Sequence, residues 1–166
     1  MLINLHWRIS YSFRYTYFIL AVLGFTACNV SEKPIEYGSA ECAYCKMTIM
    51  DQRYGAELVT GKVKVYTFDA AECLIDYLYY NEDVALNASL LLITPYTHPN
   101  NLYDAKQATY LVTGEMPSPM GAYLTSFANL ETAKEFQASK GGELYNWDEL
   151  YKNYKSIRLN AIREFE

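Results

Sequence analysis

From Ala56 to Phe68 the stretch "AELVTGKVKVYTF" alternates apolar and polar positions and breaks at Gly61, the pattern of a β-hairpin. A change of period follows. Cys73, Leu74, Tyr77 and Leu78 recur at helical spacing, and Asp69 three residues before Glu72 suggests a capping box at the helix start. The apolar runs "ASLLLIT" (88–94), "ATYLVTG" (108–114) and "AYLTSF" (122–127) suit strands. Asn129 is placed to cap a helix over "LETAKEFQASK", which ends at Gly141 and Gly142 before the strand-like "ELYNW". Upstream, "KMTIMD" (46–51) also alternates like a strand. The chain therefore reads as α+β. Laying residue 68 over residue 127 aligns "VYTFDAAEC" with "LTSFANLET": a strand ending in Phe, a polar cap and a Glu in the first helical turn. If that echo is a duplication, it implies two small, related halves sharing one core.

The first residues carry a different message. Residues 1–16 hold only basic charge, at Arg8 and Arg14, and the apolar run "YFILAVLGF" is too short to span a bilayer as a helix. Thr26 and Ala27 directly before Cys28 look like a bacterial lipobox. The expected organisation is a lipoprotein signal peptide over 1–27, a lipid-anchored tether over 28–41 starting at a lipidated Cys28, one half over 42–114, a second over 115–158, and a tail over 159–166. The formal net charge of −5 becomes more negative once the two arginines leave with the signal peptide, which argues against a nucleic-acid partner.

Chemistry concentrates in "ECAYCKMTIMD" (41–51), with two cysteines and two methionines. Three readings apply. A thiol–disulfide oxidoreductase would place its Cys-x-x-Cys after a buried strand and at the start of a helix, whereas this pair follows a polar segment. A zinc-stabilised lipoprotein would use Cys42, Cys45, Cys73 and His98 as a Cys₃His set, although Cys73 falls on the apolar stripe of the helix, where a buried thiol serves as a small hydrophobe. A soft-metal site would draw on Cys45 and Met47, which share one face of a strand. Thiolate plus thioether selects Cu(I) over Zn(II), and "GEMPSPMGAY" offers further soft donors in Met116 and Met120.

At these residues the chain resembles the NosL family, nitrous oxide reductase accessory lipoproteins acting as periplasmic copper chaperones. The resemblance rests on the lipobox cysteine, "CAYCKM", the "YGAELVTGK" hairpin, "FDAAEC", and "MPSPMGAYLTSFANLETAKEF" followed by "GGELYNWDEL". It implies two homologous strand-strand-helix-strand halves of NosL/MerB-like type. It further implies Cu(I) ligation by Cys45, Met47 and Met120, with Met116 a weaker match, Cys42 in a secondary role and Tyr44 shielding the metal; His98, in "TPYTHPN", matches no motif of the family and stays open as a nitrogen donor. The implied activity is ligand exchange rather than catalysis, so no enzyme is expected. The implied acceptor is a nitrous oxide reductase maturation complex containing a periplasmic β-helix protein and an ABC transporter, reached from a lipid anchor on the periplasmic face of a bacterial membrane.

Overall fold

The computed structural model describes residues 29–165. The expected signal peptide and the expected lipidation site Cys28 lie outside these residues. The elements are β1 (Ala56–Thr60), β2 (Val65–Phe68), α1 (Ala71–Tyr80), α2 (Glu82–Leu86), β3 (Ala88–Ile93), β4 (Tyr103–Asp104), β5 (Thr109–Val112), β6 (Leu124–Phe127), α3 (Leu130–Lys140), β7 (Glu143–Asn146) and α4 (Trp147–Phe165). They form an antiparallel four-stranded sheet, β2-β1-β3-β4, and an antiparallel three-stranded sheet, β6-β5-β7.

Both sheets are drawn to one plan. A central strand forms a hairpin with the next strand, a helix follows, and a third strand returns to the other edge of the central one. The aligned phenylalanines occupy equivalent positions: Phe68 closes β2 opposite Ala56, and Phe127 closes β6 opposite Thr109. Each packs on an aromatic ring of its own helix, Phe68 on Tyr77 at 5.2 Å and Phe127 on Phe136 at 4.8 Å. One offset relates both pairs, 68 to 127 and 77 to 136, so the strand-strand-helix-strand repeat expected from the sequence is present. The division falls earlier than 114/115, because β5 pairs only with strands of the second sheet.

The main core joins the halves. Leu58, Phe68, Leu74, Ile75 and Ile93 of the first meet Tyr110, Val112 and Leu124 of the second, together with Trp147, Leu150 and Tyr154 of α4. The opposite face of the second sheet, through Leu111 and Phe127, packs on Ala133 of α3 with Met116. With both faces covered, every residue of β6 is buried. Asn129 caps α3 as expected, accepting from the Thr132 amide at 2.9 Å. Gly142, at φ 92°, then brings the chain against the Val112 carbonyl, leaving no room for a Cβ.

Four expectations are corrected. The "KMTIMD" segment is not a strand; it pairs only through an isolated bridge between Glu41 and Thr48. Residues 33–41 are not a free tether: Ile35 is buried in the core, its Cδ1 would lie 2.9 Å from a Cβ at Gly55, and the Lys33 amide donates to Glu57 Oε1 at 3.0 Å. Residues 159–166 are not a tail, because α4 runs through them to Phe165, burying Ala161 and packing Phe165 against Tyr123 at 5.1 Å. Asp69 and Glu72 form no capping box either, since Ala70 is the N-cap of α1 and makes no side-chain cap bond.

The covered outer face of β1 has a pH consequence. Burial of Glu57 pushes its carboxyl up to about 6, with Glu32 adding to the rise and the Lys33 amide and side chain opposing it. Its Oε2 has no partner. An unfolded Glu titrates near ~4.3, so the folded protein binds this proton more tightly, and stability falls as pH climbs from there through the folded value. Glu57→Gln is therefore expected to stabilise the protein by about 1–2 kcal/mol at neutral pH and by much less at pH ~4. Urea unfolding at both pH values checks this; an equal gain at both contradicts it.

Candidate metal-binding site

The Cys-x-x-Cys segment is a closed turn. The Lys46 amide donates to the Cys42 carbonyl at 3.1 Å, the Cys42 amide to the Met47 carbonyl at 2.8 Å, and the Ile49 amide to the Ala40 carbonyl at 2.9 Å. Lys46 takes φ 66°, the left-handed conformation needed to turn the chain after the second cysteine. The turn is pinned to the edge of the first sheet by the Ala43 amide, which donates to the Thr67 carbonyl at 2.8 Å. Asp69 lies beside the same loop: burial raises its carboxyl, with the charge of Cys42 adding to the rise and the Met50 N–H opposing it.

This folding carries Cys42 and Cys45 onto the N-terminal turn of α1, where Cys73 projects. The three Sγ atoms lie within 4.8 Å of one another, and all three are free thiols. Cys42 and Cys73 are fully buried, Cys45 is half-buried, and Met47 is 47% exposed. The Cys42 sulfur accepts from the Cys73 S–H, which lowers its proton affinity to about 5 against the opposing effect of burial; amides of Asp69, Cys45 and Tyr44 lower it further. Cys73, holding the shared proton in a buried place, is pushed up. Burial also raises Cys45, opposed by the Met47 amide on its sulfur. Tyr44 stacks on Tyr80, ring centroids 6.2 Å apart, beside this group.

The second half reaches the same end of α1. Glu72 is buried and accepts from the Met120 amide at 3.3 Å and from the Ser118 side chain, which fastens the "MPSPMG" loop one residue from Cys73. Tyr54 holds the loop as well, donating to the Pro117 carbonyl at 3.3 Å. Met120 borders the main core that contains Cys42 and Cys73.

The other expected donors are placed elsewhere. Met116 is buried in the second core with Leu111, Phe127 and Ala133. His98 lies on an exposed turn, its Nδ1 3.0 Å from Thr97 Oγ1, and is not grouped with the thiols, so the Cys₃His zinc set is not assembled. Met50 points to solvent at 66% exposure. Cys73 is the residue that motif reading set aside. Its helical stripe position marked it as core, and it is core, but the first turn of α1 also aims it at the Cys-x-x-Cys turn. The available signal was a cysteine in the first turn of α1, five residues after Phe68 and three after the Ala70 cap.

Three convergent thiols on a repeated α+β fold form a group with the chemistry to hold a thiophilic metal. The NosL family model matches residues 35–155, and the chain belongs to the NosL family. It is 26% identical over 145 residues to the copper-binding lipoprotein NosL of Stutzerimonas stutzeri, spanning 80% of this chain and 76% of that one. Its fold matches the crystal structure of the copper chaperone NosL from Shewanella denitrificans with a TM-score of 0.63 and 24% identity, covering 73% of this chain and 96% of that one. Among the described residues, no helix is long and apolar enough to cross a membrane.

Proposed function

We propose that this protein is a lipid-anchored carrier of Cu(I), held through Cys28 on the periplasmic face of a bacterial membrane, that delivers copper for assembly of the copper centres of nitrous oxide reductase. The observation that carries the reading is the convergence of three thiols, with Cys45 half-buried among them and Met47 exposed two residues further along the chain. Soft, polarizable donors of this kind favour Cu(I), and the copper-binding relatives point the same way. A carrier must leave a coordination position open to the acceptor's ligand, and Cys45 with Met47 and the tethered Met120 supplies two or three donors without a closed cage. The acceptor, by family resemblance, is a maturation complex with a periplasmic β-helix protein and an ABC transporter. The anchor raises the carrier's local concentration beside such a membrane-bound partner.

A redox role has one observation in its favour, the lowered proton affinity of Cys42. The same amide donors that produce it also suit a metal thiolate. The two readings part at methionine, which disulfide chemistry does not need. In an anaerobic Cu(I) titration of the reduced full chain in detergent, against a Cu(I)-specific chelator, one equivalent is expected to bind. Met47→Leu and Met120→Leu are each expected to weaken it by about tenfold, equivalent to ~1.4 kcal/mol. Absent binding, or affinity unchanged in both variants, removes the copper reading.

A further inference from the structure

We propose that Cys42, Cys45 and Cys73 form a three-thiolate inner seat for a thiophilic cation, and that Cys45 belongs both to this seat and to the methionine-bearing mouth. The proposal deepens the copper reading and rests on it only for the identity of the ion. Motif reading gave Cys42 a secondary role and Cys73 a packing role; the geometry makes both ligands.

The spacing is close to what ligation needs. With metal–sulfur bonds of about 2.3 Å, trigonal coordination places three sulfurs about 4 Å apart, so sulfurs already within 4.8 Å need to close by less than 1 Å. The surroundings are also built for anionic sulfur. The backbone N–H groups of Tyr44, Cys45 and Asp69 favour the anionic form of Cys42, and that of Met47 favours the anionic form of Cys45. Cys73 occupies the first turn of α1, where the helix dipole favours negative charge.

Exposure is graded across the set. Cys42 and Cys73 are fully buried, Cys45 is intermediate and Met47 opens to solvent. An ion held by all three thiolates is enclosed, and one held by Cys45 and the thioethers is accessible, so transfer between the two states exchanges two sulfur ligands around a fixed third. Entry into the inner seat replaces the S–H bond of every thiol that ligates with a metal–thiolate bond, and each displaced proton leaves to solvent.

Cadmium is the probe, because its charge-transfer absorption counts bound thiolates and is blind to thioethers. Cd²⁺ is titrated anaerobically into the reduced full chain in detergent, with near-UV circular dichroism to verify folding. Cys42→Ser, Cys45→Ser and Cys73→Ser are each expected to lower the saturated band by about one third, and Met47→Leu to leave it unchanged. Cys73→Ala is the second variant at the buried position should serine disturb the fold. A full-strength band in folded Cys42→Ser, or in the folded Cys73 variant, overturns the inner seat. The Cu(I) competition of the methionine variants stands apart from this result: a three-thiolate band with no Cu(I) preference would keep the seat and remove the copper reading.

Discussion

Cys45→Ser lowers Cu(I) affinity by about a thousandfold, or ~4 kcal/mol, the largest expected loss for any single side chain around the site. The reason is position. Cys42 and Cys73 are fully buried while Cys45 is only half-buried, and Met47 two residues on is exposed, so an ion reaching the cluster from solvent meets this sulfur first. A serine hydroxyl is a hard donor that stays protonated at neutral pH and cannot stand in for a thiolate toward a soft cation. Met47 is different. Its thioether is neutral and largely solvated, and its replacement by Leu removes one weak donor without stranding a charge. Chelator competition under anaerobic, reducing conditions checks the order of the two effects. Equal losses in Cys45→Ser and Met47→Leu would put the ion at the outer mouth alone, and unchanged affinity in Cys45→Ser would rule out metal carriage at this site.

How legible the site was depends on whether a residue's role is set by its near neighbours. The hairpin over β1 and β2, the Asn129 cap and the Gly141–Gly142 stop are local, and alternation or cap chemistry reveals them. The turn at Cys42 is not. It closes through the Lys46-to-Cys42 and Cys42-to-Met47 backbone bonds and a left-handed Lys46, while the alternation of "KMTIMD" reads as a strand that finds no partner beyond one bridge. Asp69 and Glu72 carry the letters of a capping box, but Asp69 is not the N-cap and Glu72 is spent on the distant Met120 amide. A genuine box lay further on. Asn146 and Glu149 satisfy each other's amides at 3.3 and 2.9 Å and start α4, whose buried Trp147, Leu150, Tyr154 and Ala161 follow helical spacing. The strand-like "ELYNW" runs into that helix and conceals its start. Met116 and Met120 share a loop and differ in fate because the loop crosses from one core to the other, which no spacing rule within the loop encodes.

The repeat yields the second large effect: Phe68→Ala and Phe127→Ala should each destabilise the protein by about 3–5 kcal/mol, with a single unfolding transition retained in both. Each ring is fully buried at the end of a hairpin strand and packed on its own helix, so removal leaves a cavity in one half. Independent halves would respond separately, with Phe127→Ala producing an early melt of the second sheet. The packing opposes that outcome. Tyr110, Val112 and Leu124 of the second sheet share a core with Phe68, Leu74 and Ile75, and α4 lies across it, the Tyr79 hydroxyl donating to the Tyr151 carbonyl. Losing either sheet would expose apolar surface of the other, which makes partial unfolding unfavourable. Thermal melts followed by far-ultraviolet and tyrosine near-ultraviolet circular dichroism should therefore coincide in both variants, and a two-step melt in Phe127→Ala would contradict a shared core. Because the thiol cluster lies in that shared core, metal binding is expected to raise the melting temperature of Phe127→Ala as well as that of Phe68→Ala, coupling the site to the half that contributes no thiol.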